Sequence, residues 1–320
     1  DLRTLLTSSQ EAYRHYTEGT RLYQDYRFAE ASAAYRRSLE ADPEFGAAQL
    51  RLGMNLYLMG ERAEGIRLIA EAASQAERLP RKQRLLAEAF NAFWVDQDFR
   101  KGDERLQELV DRYPEDKEGF FWRAQALAGL AGDREGAVRM LGRVMELDPN
   151  YTLAVTALGG HLLALGRAGE SREVLETYLE DHPDAFGPRL LLVDVLHAEG
   201  QSQAAVAELD RIIAARPEER EPRIYKPYLL LTTFDYDGAA SAFRALVGSE
   251  DPLLVTAGHE GLAQVALYRG RFREAVSDYD RALEAAAAMD DPRREAALLS
   301  EKAAVLSDCG EFQAAIQSYE

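Results

Sequence analysis

The chain has 320 residues, with 55 Asp and Glu against 38 Lys and Arg, a formal net charge of −17, and hydrophobic residues at 47%. That apolar content is enough for a buried core and argues against a disordered chain. The acidic balance argues against duplex nucleic-acid binding and against docking on anionic lipid, since both need clustered Lys and Arg.

The longest apolar runs, such as residues 229–231, fall far short of the roughly 20 residues of a membrane span. Cys309 is the single cysteine, which rules out an internal disulfide and a cysteine-rich zinc site. It suits a reducing cytoplasm, with a bacterial periplasm or cell envelope as the alternative. The chain opens without Met and stops within a helical pattern, so it is expected to be a trimmed piece.

The prolines set a period. Pro149, Pro183 and Pro217 are 34 residues apart, and Pro114 and Pro252 lie 35 to either side of that set. In phase with them, a turn residue is followed five positions later by a small residue: Gly60 and Gly65, Gly166 and Ser171, Gly200 and Ala205, Gly270 and Ala275, Gly310 and Ala315. Four residues later stands a bulky side chain: Tyr35, Ile69, Leu106, Leu141, Leu175, Leu209, Phe243, Tyr279 and Tyr319. This spacing predicts two helices of about 12–14 residues joined by a short turn. The small residue lets their backbones approach, and the proline ends the second helix.

In chain order, a lead-in at 1–11 is followed by units starting near 12, 46, 83, 117, 152, 186, 220 and 256, with a ninth, incomplete unit from 296. The second and eighth are expected to carry longer second helices. In the seventh, Lys226 and Pro227 replace the usual Leu and Gly, which predicts a kink or a later start of its first helix. Cys309, just before the turn at Gly310, is expected to be a packed small thiol. The ninth unit is expected to leave Leu306, Ile316 and Tyr319 uncovered, which invites self-association.

These residues carry a resemblance to tetratricopeptide repeat (TPR) proteins. The first unit supplies Gly19, Leu22, Ala31, Tyr35 and Pro43; the fifth Leu158, Gly159, Leu162, Gly166, Leu175, Tyr178 and Pro183; the sixth Leu192, Leu196, Gly200, Ala205, Leu209 and Pro217. The resemblance covers nearly the whole chain. It implies an all-α, right-handed superhelical solenoid of antiparallel helix pairs with no cofactor, whose first helices line a concave groove. More narrowly, residues 5–19 and 77–90 look like TPR regions of bacterial proteins that also carry a eukaryotic-like serine/threonine kinase or a winged-helix DNA-binding domain. This implies an output domain outside these 320 residues.

Chemistry is sparse. His15, His161, His182, His197 and His259 form no metal-binding pair, and the many carboxylates read as solvated helix faces. Gly159–Gly160 lacks the strand before it and the Lys-Ser/Thr after it that a phosphate loop needs. No catalytic, metal or cofactor residue is assigned, and the chain is not read as an enzyme. The lysine-, asparagine- and arginine-based clamp with which some TPR proteins hold a C-terminal carboxylate is represented by Arg51 alone, beside Tyr16, Thr20 and Ala47.

What remains is the groove. The inward register gives Tyr13, Tyr16, Tyr23, Leu50, Met54, Tyr57, Asn91, Trp94, Phe121 and Gln125 as candidate partner-binding residues in the first four units. In the later units it gives Thr156, Leu190, Asp194, His197, Ile224, Tyr228, Gln264 and Tyr268. Aromatic side chains supply large rigid contact area at small entropic cost. The alternative for the same aromatics is ordinary packing between units.

The expected function is a non-catalytic scaffold that binds a protein or peptide partner in this groove, without nucleic acid or direct membrane contact. The alternative is the sensing and docking region of a bacterial signalling protein.

Overall fold

The computed structural model describes residues 6–319; residues 1–5 and 320 and the side chains of Ser318 and Tyr319 lie outside the described residues. Among the described residues there are eighteen α-helices and no strand. The chain divides into two compact units, one running to Val195 and the other from Leu196.

The first unit holds α1 (Gln10–Gln24), α2 (Phe28–Ala41), α3 (Gly46–Leu58), α4 (Arg62–Ser74), α5 (Arg81–Trp94), α6 (Phe99–Arg112), α7 (Lys117–Gly129), α8 (Arg134–Leu147), α9 (Thr152–Ala164), α10 (Ala168–Asp181) and most of α11 (Phe186–Ala198). The second holds α12 (Ser202–Ala215), α13 (Arg220–Thr232), α14 (Tyr236–Val247), α15 (Pro252–Tyr268), α16 (Phe272–Ala286), α17 (Pro292–Asp308) and α18 (Phe312–Tyr319).

Aspartates start many of these helices. The carboxylates of Asp98, Asp116, Asp133, Asp235, Asp251 and Asp291 accept hydrogen bonds from backbone N–H groups of the first turn that have no partner within the helix. The negative charge also suits the positive end of the helix dipole.

The turn between paired helices has one backbone signature. Gly60, Gly132, Gly166, Gly200, Gly270 and Gly310 adopt positive φ there, and so do Tyr26 (63°), Gln97 (55°) and Phe234 (63°) at the matching places. A Cβ disfavours this left-handed conformation, which is why glycine holds most of these positions.

Five residues on, the small side chain lies in a close helix contact. A Cβ added to Gly65 would sit 2.7 Å from the carbonyl oxygen of Gly53 and 2.8 Å from the backbone nitrogen of Tyr57. The bulky residues of the period, from Tyr35 to Tyr279, are all buried. Where the small residue is Ser171, its hydroxyl donates to the Gly159 carbonyl at 2.8 Å, so the polar group is satisfied inside the core.

Several expectations are corrected. The extra residues after α4 and α16 form short 3₁₀ turns, Ala76–Arg78 and Ala287–Met289, instead of lengthening the α-helices. Asp290 ends the second of these at φ 52°. Helix α13 begins at Arg220, without the later start, and Pro227 lies inside it. The proline ring is buried, and that burial offsets the lost backbone hydrogen bond. Cys309 is exposed, because it caps α17 beside the turn at Gly310 and leaves the helix contact. Leu306 is buried against Ala303 and Ala315, whereas Ile316 is exposed.

Candidate functional site

The inner side of the first unit encloses a cavity of about 600 Å³ walled by aromatic residues of α1, α3, α5 and α7 and closed by α9. Its size lies within the range of small-ligand pockets. Tyr57 of α3 and Trp94 of α5 stack face to face, with ring centroids 4.2 Å apart and planes 7° from parallel. Phe90 packs on Trp94 at 4.9 Å and meets Trp122 edge-on at 5.1 Å and 90°. Trp122 is in turn 5.1 Å from Phe121. Rings interlocked in this way hold one another's rotamers. The Arg62 guanidinium lies 5.6 Å from the centre of the Tyr57 ring.

Tyr26 completes the wall from an unusual place, the first turn. At positive φ its ring crosses the unit to lie against Gly187 at the start of α11, with the Thr156 side chain of α9 near its hydroxyl. Burial, opposed by the neighbouring Thr156 hydroxyl, pushes the phenol up to about 12. A bulky residue at positive φ is a strained arrangement, and here the ring contacts on α9 and α11 hold it in place. His161 lies at the α9 side of the cavity. Its Nε2 is buried without a hydrogen-bond partner. Burial, followed by the charge of Arg134, holds the imidazole below its ordinary value, which favours the neutral ring.

Tyr23 is shared with a second, polar recess of about 310 Å³. Its organising residue is Glu118 of α7, which accepts from Arg51 of α3 and from the Trp122 indole N–H at 3.3 Å, and lies 3.1 Å from the Lys82 ammonium. Lys82 also pairs with Asp116. Lys117 pairs with Asp148 and sits over the Tyr151 ring at 4.7 Å. The Arg51 and Glu118 side chains are 16% and 17% exposed, so the pair is largely withdrawn from water. Arg51, the one clamp-like residue, is thus engaged within the fold.

Of the ten candidate residues, Tyr23, Tyr57, Trp94, Phe121 and Gln125 line the aromatic cavity. Leu50 and Met54 are core residues. Tyr16 packs on Phe45 at 5.1 Å and Tyr13 on Tyr16 at 6.3 Å, near the start of the unit. Asn91 is half-buried on α5, away from the cavity wall. Sequence reasoning left out Phe90, Phe93, Trp122, Leu153 and His161, which also line the cavity. It also missed Tyr26, whose signal was a tyrosine standing where most units carry glycine.

Among the described residues, no group of three or more His, Cys, Asp or Glu is placed to hold a metal ion. No helix of the described residues is long and apolar enough to cross a membrane.

Two tetratricopeptide-repeat family models match the sequence, one at residues 130–187 and 162–225 and the other at 87–152. No curated protein matches it by sequence. Among solved structures, yeast Tom70 is similar with a TM-score of 0.59 and 15% identity, over 95% of this chain and 66% of its own. A chain of the APC/C hetero-tetramer Cut9–Hcn1 is similar with a TM-score of 0.58 and 17% identity, over 89% of this chain and 54% of its own. A monomeric mutant of IFIT1 with Gppp-AAAA gives 0.50 and 12%, over 98% and 78%. At these identities the likeness is one of fold, and the chain spans just under two thirds of Tom70 and about half of the Cut9–Hcn1 chain. The chain carries tetratricopeptide repeats and has the fold of a TPR-like helical solenoid, a class of scaffold that is generally non-catalytic.

Proposed function

We propose that this chain is a protein-interaction scaffold that holds a segment of a partner protein on the inner face of its first unit. The observation that carries the reading is the aromatic cavity, to which α3, α5 and α7 contribute interlocked rings. Pre-ordered aromatic surface of this kind concentrates binding energy, because the partner alone loses freedom on docking. The solenoid is proposed to comprise eight full repeats after a lead-in at 1–11, with starts near 12, 46, 83, 117, 152, 186, 220 and 256, and a ninth, incomplete one from 296.

A phosphate-rich partner, such as the Gppp-AAAA held by the IFIT1 mutant, is not proposed. The cavity wall has no Lys or Arg, and the net charge of −17 repels polyanions. The reducing cytoplasm suits the single cysteine and is the compartment proposed, with a bacterial periplasm or envelope as the alternative.

The test is capture of partners from source-cell extract, identified by mass spectrometry, with the wild type and with Tyr57→Ala/Trp94→Ala. The double variant is expected to stay helical by circular dichroism and to lose its specific partner. Equal capture by both proteins would move the site elsewhere on the solenoid.

The likeness of residues 5–19 and 77–90 to the TPR regions of bacterial kinases and winged-helix regulators favours a second reading, in which the solenoid is the docking arm of a signalling protein. Peptide mapping of the native protein decides it. A kinase or DNA-binding domain in the same chain supports that reading, and a native chain confined to these residues overturns it.

A further inference from the structure

The composition of the cavity wall says what kind of group can enter it. No Asp, Glu, Lys or Arg lines the cavity, and the Nε2 of its one histidine, His161, is buried without a partner, which disfavours the charged ring. A charge placed there would lose its hydration with nothing to replace it. Apart from phenol hydroxyls and the two indole N–H groups, polar side-chain atoms come only from Gln125, Thr156 and His161; the Trp122 indole already donates to Glu118 and the Thr156 hydroxyl to the Thr152 carbonyl at 3.0 Å.

Peptide backbone fits this wall poorly. An extended stretch of four residues brings about eight N–H and C=O groups, each needing a partner. One turn of helix, a cylinder about 10 Å across and 5.4 Å tall, occupies roughly 400 Å³, so a cavity of about 600 Å³ has no room for a second turn and the rest of any segment stays outside. The mouth, in contrast, is apolar and accessible: Leu58 and Leu130 line the cavity and are 55% and 40% exposed.

We propose that the cavity receives one uncharged, ring-bearing apolar group, with any backbone or polar attachment left outside at the Leu58–Leu130 mouth. The proposal rests on the reading of the first unit as a binding scaffold and names the chemistry of what it binds. The group is an aromatic side chain of the partner, whose backbone the accessible Leu58–Leu130 mouth leaves outside; a free small apolar molecule is the competing outcome of the test.

The protein's only two tryptophans, Trp94 and Trp122, both line the cavity, so their fluorescence reports occupancy. The full chain is titrated with bromobenzene, whose bromine quenches indole emission on contact, and with 4-bromobenzoate and 4-bromobenzylammonium as charged analogues. Saturable quenching by bromobenzene is expected, with apparent affinity for both charged analogues about tenfold or more weaker.

Gly160→Phe places a ring in the cavity from α9. Its Cβ would meet only Leu191 Cδ2, at an ordinary 3.9 Å. The variant is expected to keep its thermal transition and lose saturable quenching; Gly160→Leu serves the same purpose should the larger ring unfold the unit. Unsaturable quenching, equal saturation by the charged analogues, or saturation unchanged in the filled variants would overturn the proposal.

The blocked amino acid N-acetyl-4-bromophenylalanine amide separates the two sources. Saturation by it supports a partner side chain, and saturation by bromobenzene alone supports a free small molecule. If bromobenzene saturates but Gly160→Phe still captures the partner, the cavity assignment stands and the partner site in the proposed function fails. Loss of capture in Gly160→Phe together with unsaturable quenching overturns the cavity chemistry alone.

Discussion

The ring of Tyr26, in the first turn of the chain, lies against Gly187 at the start of α11: a Cβ built on that glycine would be 2.6 Å from both Cε2 and Cζ of the tyrosine. Two residues 161 positions apart thus close the inner face of the first unit, and the absence of a side chain at 187 is what admits the ring.

Gly187→Ala is therefore expected to destabilise the first unit by about 1–3 kcal/mol, the usual effect of overpacking. The ring cannot simply swing away, since it is packed into the cavity wall against α11 and its backbone turn is strained. In a Tyr26→Gly background the same alanine should have little effect, and the double-mutant cycle should return a coupling of similar size. Urea unfolding followed by tryptophan emission reads the first unit, which contains both indoles.

Tyr26 and Phe234 share one backbone conformation, with φ 63° at both, but not one environment. Phe234 is 76% exposed, so Phe234→Gly relieves strain and loses little packing. A gain of about 1 kcal/mol is expected in the second unit. Tyr26→Gly relieves the same strain but removes a packed ring, and should destabilise the first unit. Thermal melts of the two variants moving in the same direction would count against this account.

The Arg51–Glu118 pair links α3 to α7. Arg51→Met leaves Glu118 with Lys82 and the Trp122 indole as partners, in a site withdrawn from water. Removing one member of a fully buried pair costs roughly 3–5 kcal/mol, and the remaining contacts of Glu118 should hold this loss to the lower end. Arg51→Met/Glu118→Leu should lose less than Arg51→Met alone, as urea midpoints would reveal.

His161 supplies a pH dependence. Its folded-state pKa lies below the ordinary 6.5 because of burial and then Arg134. The unfolded chain therefore binds the proton first as the pH falls. The stabilisation from keeping this ring neutral is complete above about pH 6.5 and is lost progressively below it. His259 in the second unit shifts in the same sense, chiefly by burial. Glu260, whose carboxyl is raised chiefly by burial, acts oppositely and gains stability on acidification through its folded pKa. Tryptophan-detected urea melts should show His161→Leu losing less stability than wild type between about pH 7.5 and 5.5. Parallel losses would remove His161 as the cause.

The helix-pair architecture was legible because its signals are local. Proline placement, turn glycines, and small and bulky residues each act on neighbours within one or two helices, so a single period carries them all. The candidate site was less legible. Periodicity tells which arc of a helix faces inward, and Tyr23, Tyr57, Trp94, Phe121 and Gln125 lie on the cavity wall. It does not separate residues that meet the next repeat, such as Leu50 and Met54, from those that meet open space. It also overlooks a turn residue such as Tyr26, which belongs to no helix face.

By itself, then, the sequence determined an all-helical chain of stacked pairs, the positions of its turns and which residues pack within a pair, because those depend on spacings of a few residues. Only the tertiary structure decided that Tyr26 reaches Thr156 and Gly187 and that an aromatic cavity with no charged residue in its wall closes between them. The rotation from one repeat to the next is small and is set by the packing of each interface. Its sum over four or five repeats determines which distant residues meet, and no single stretch of sequence contains that sum.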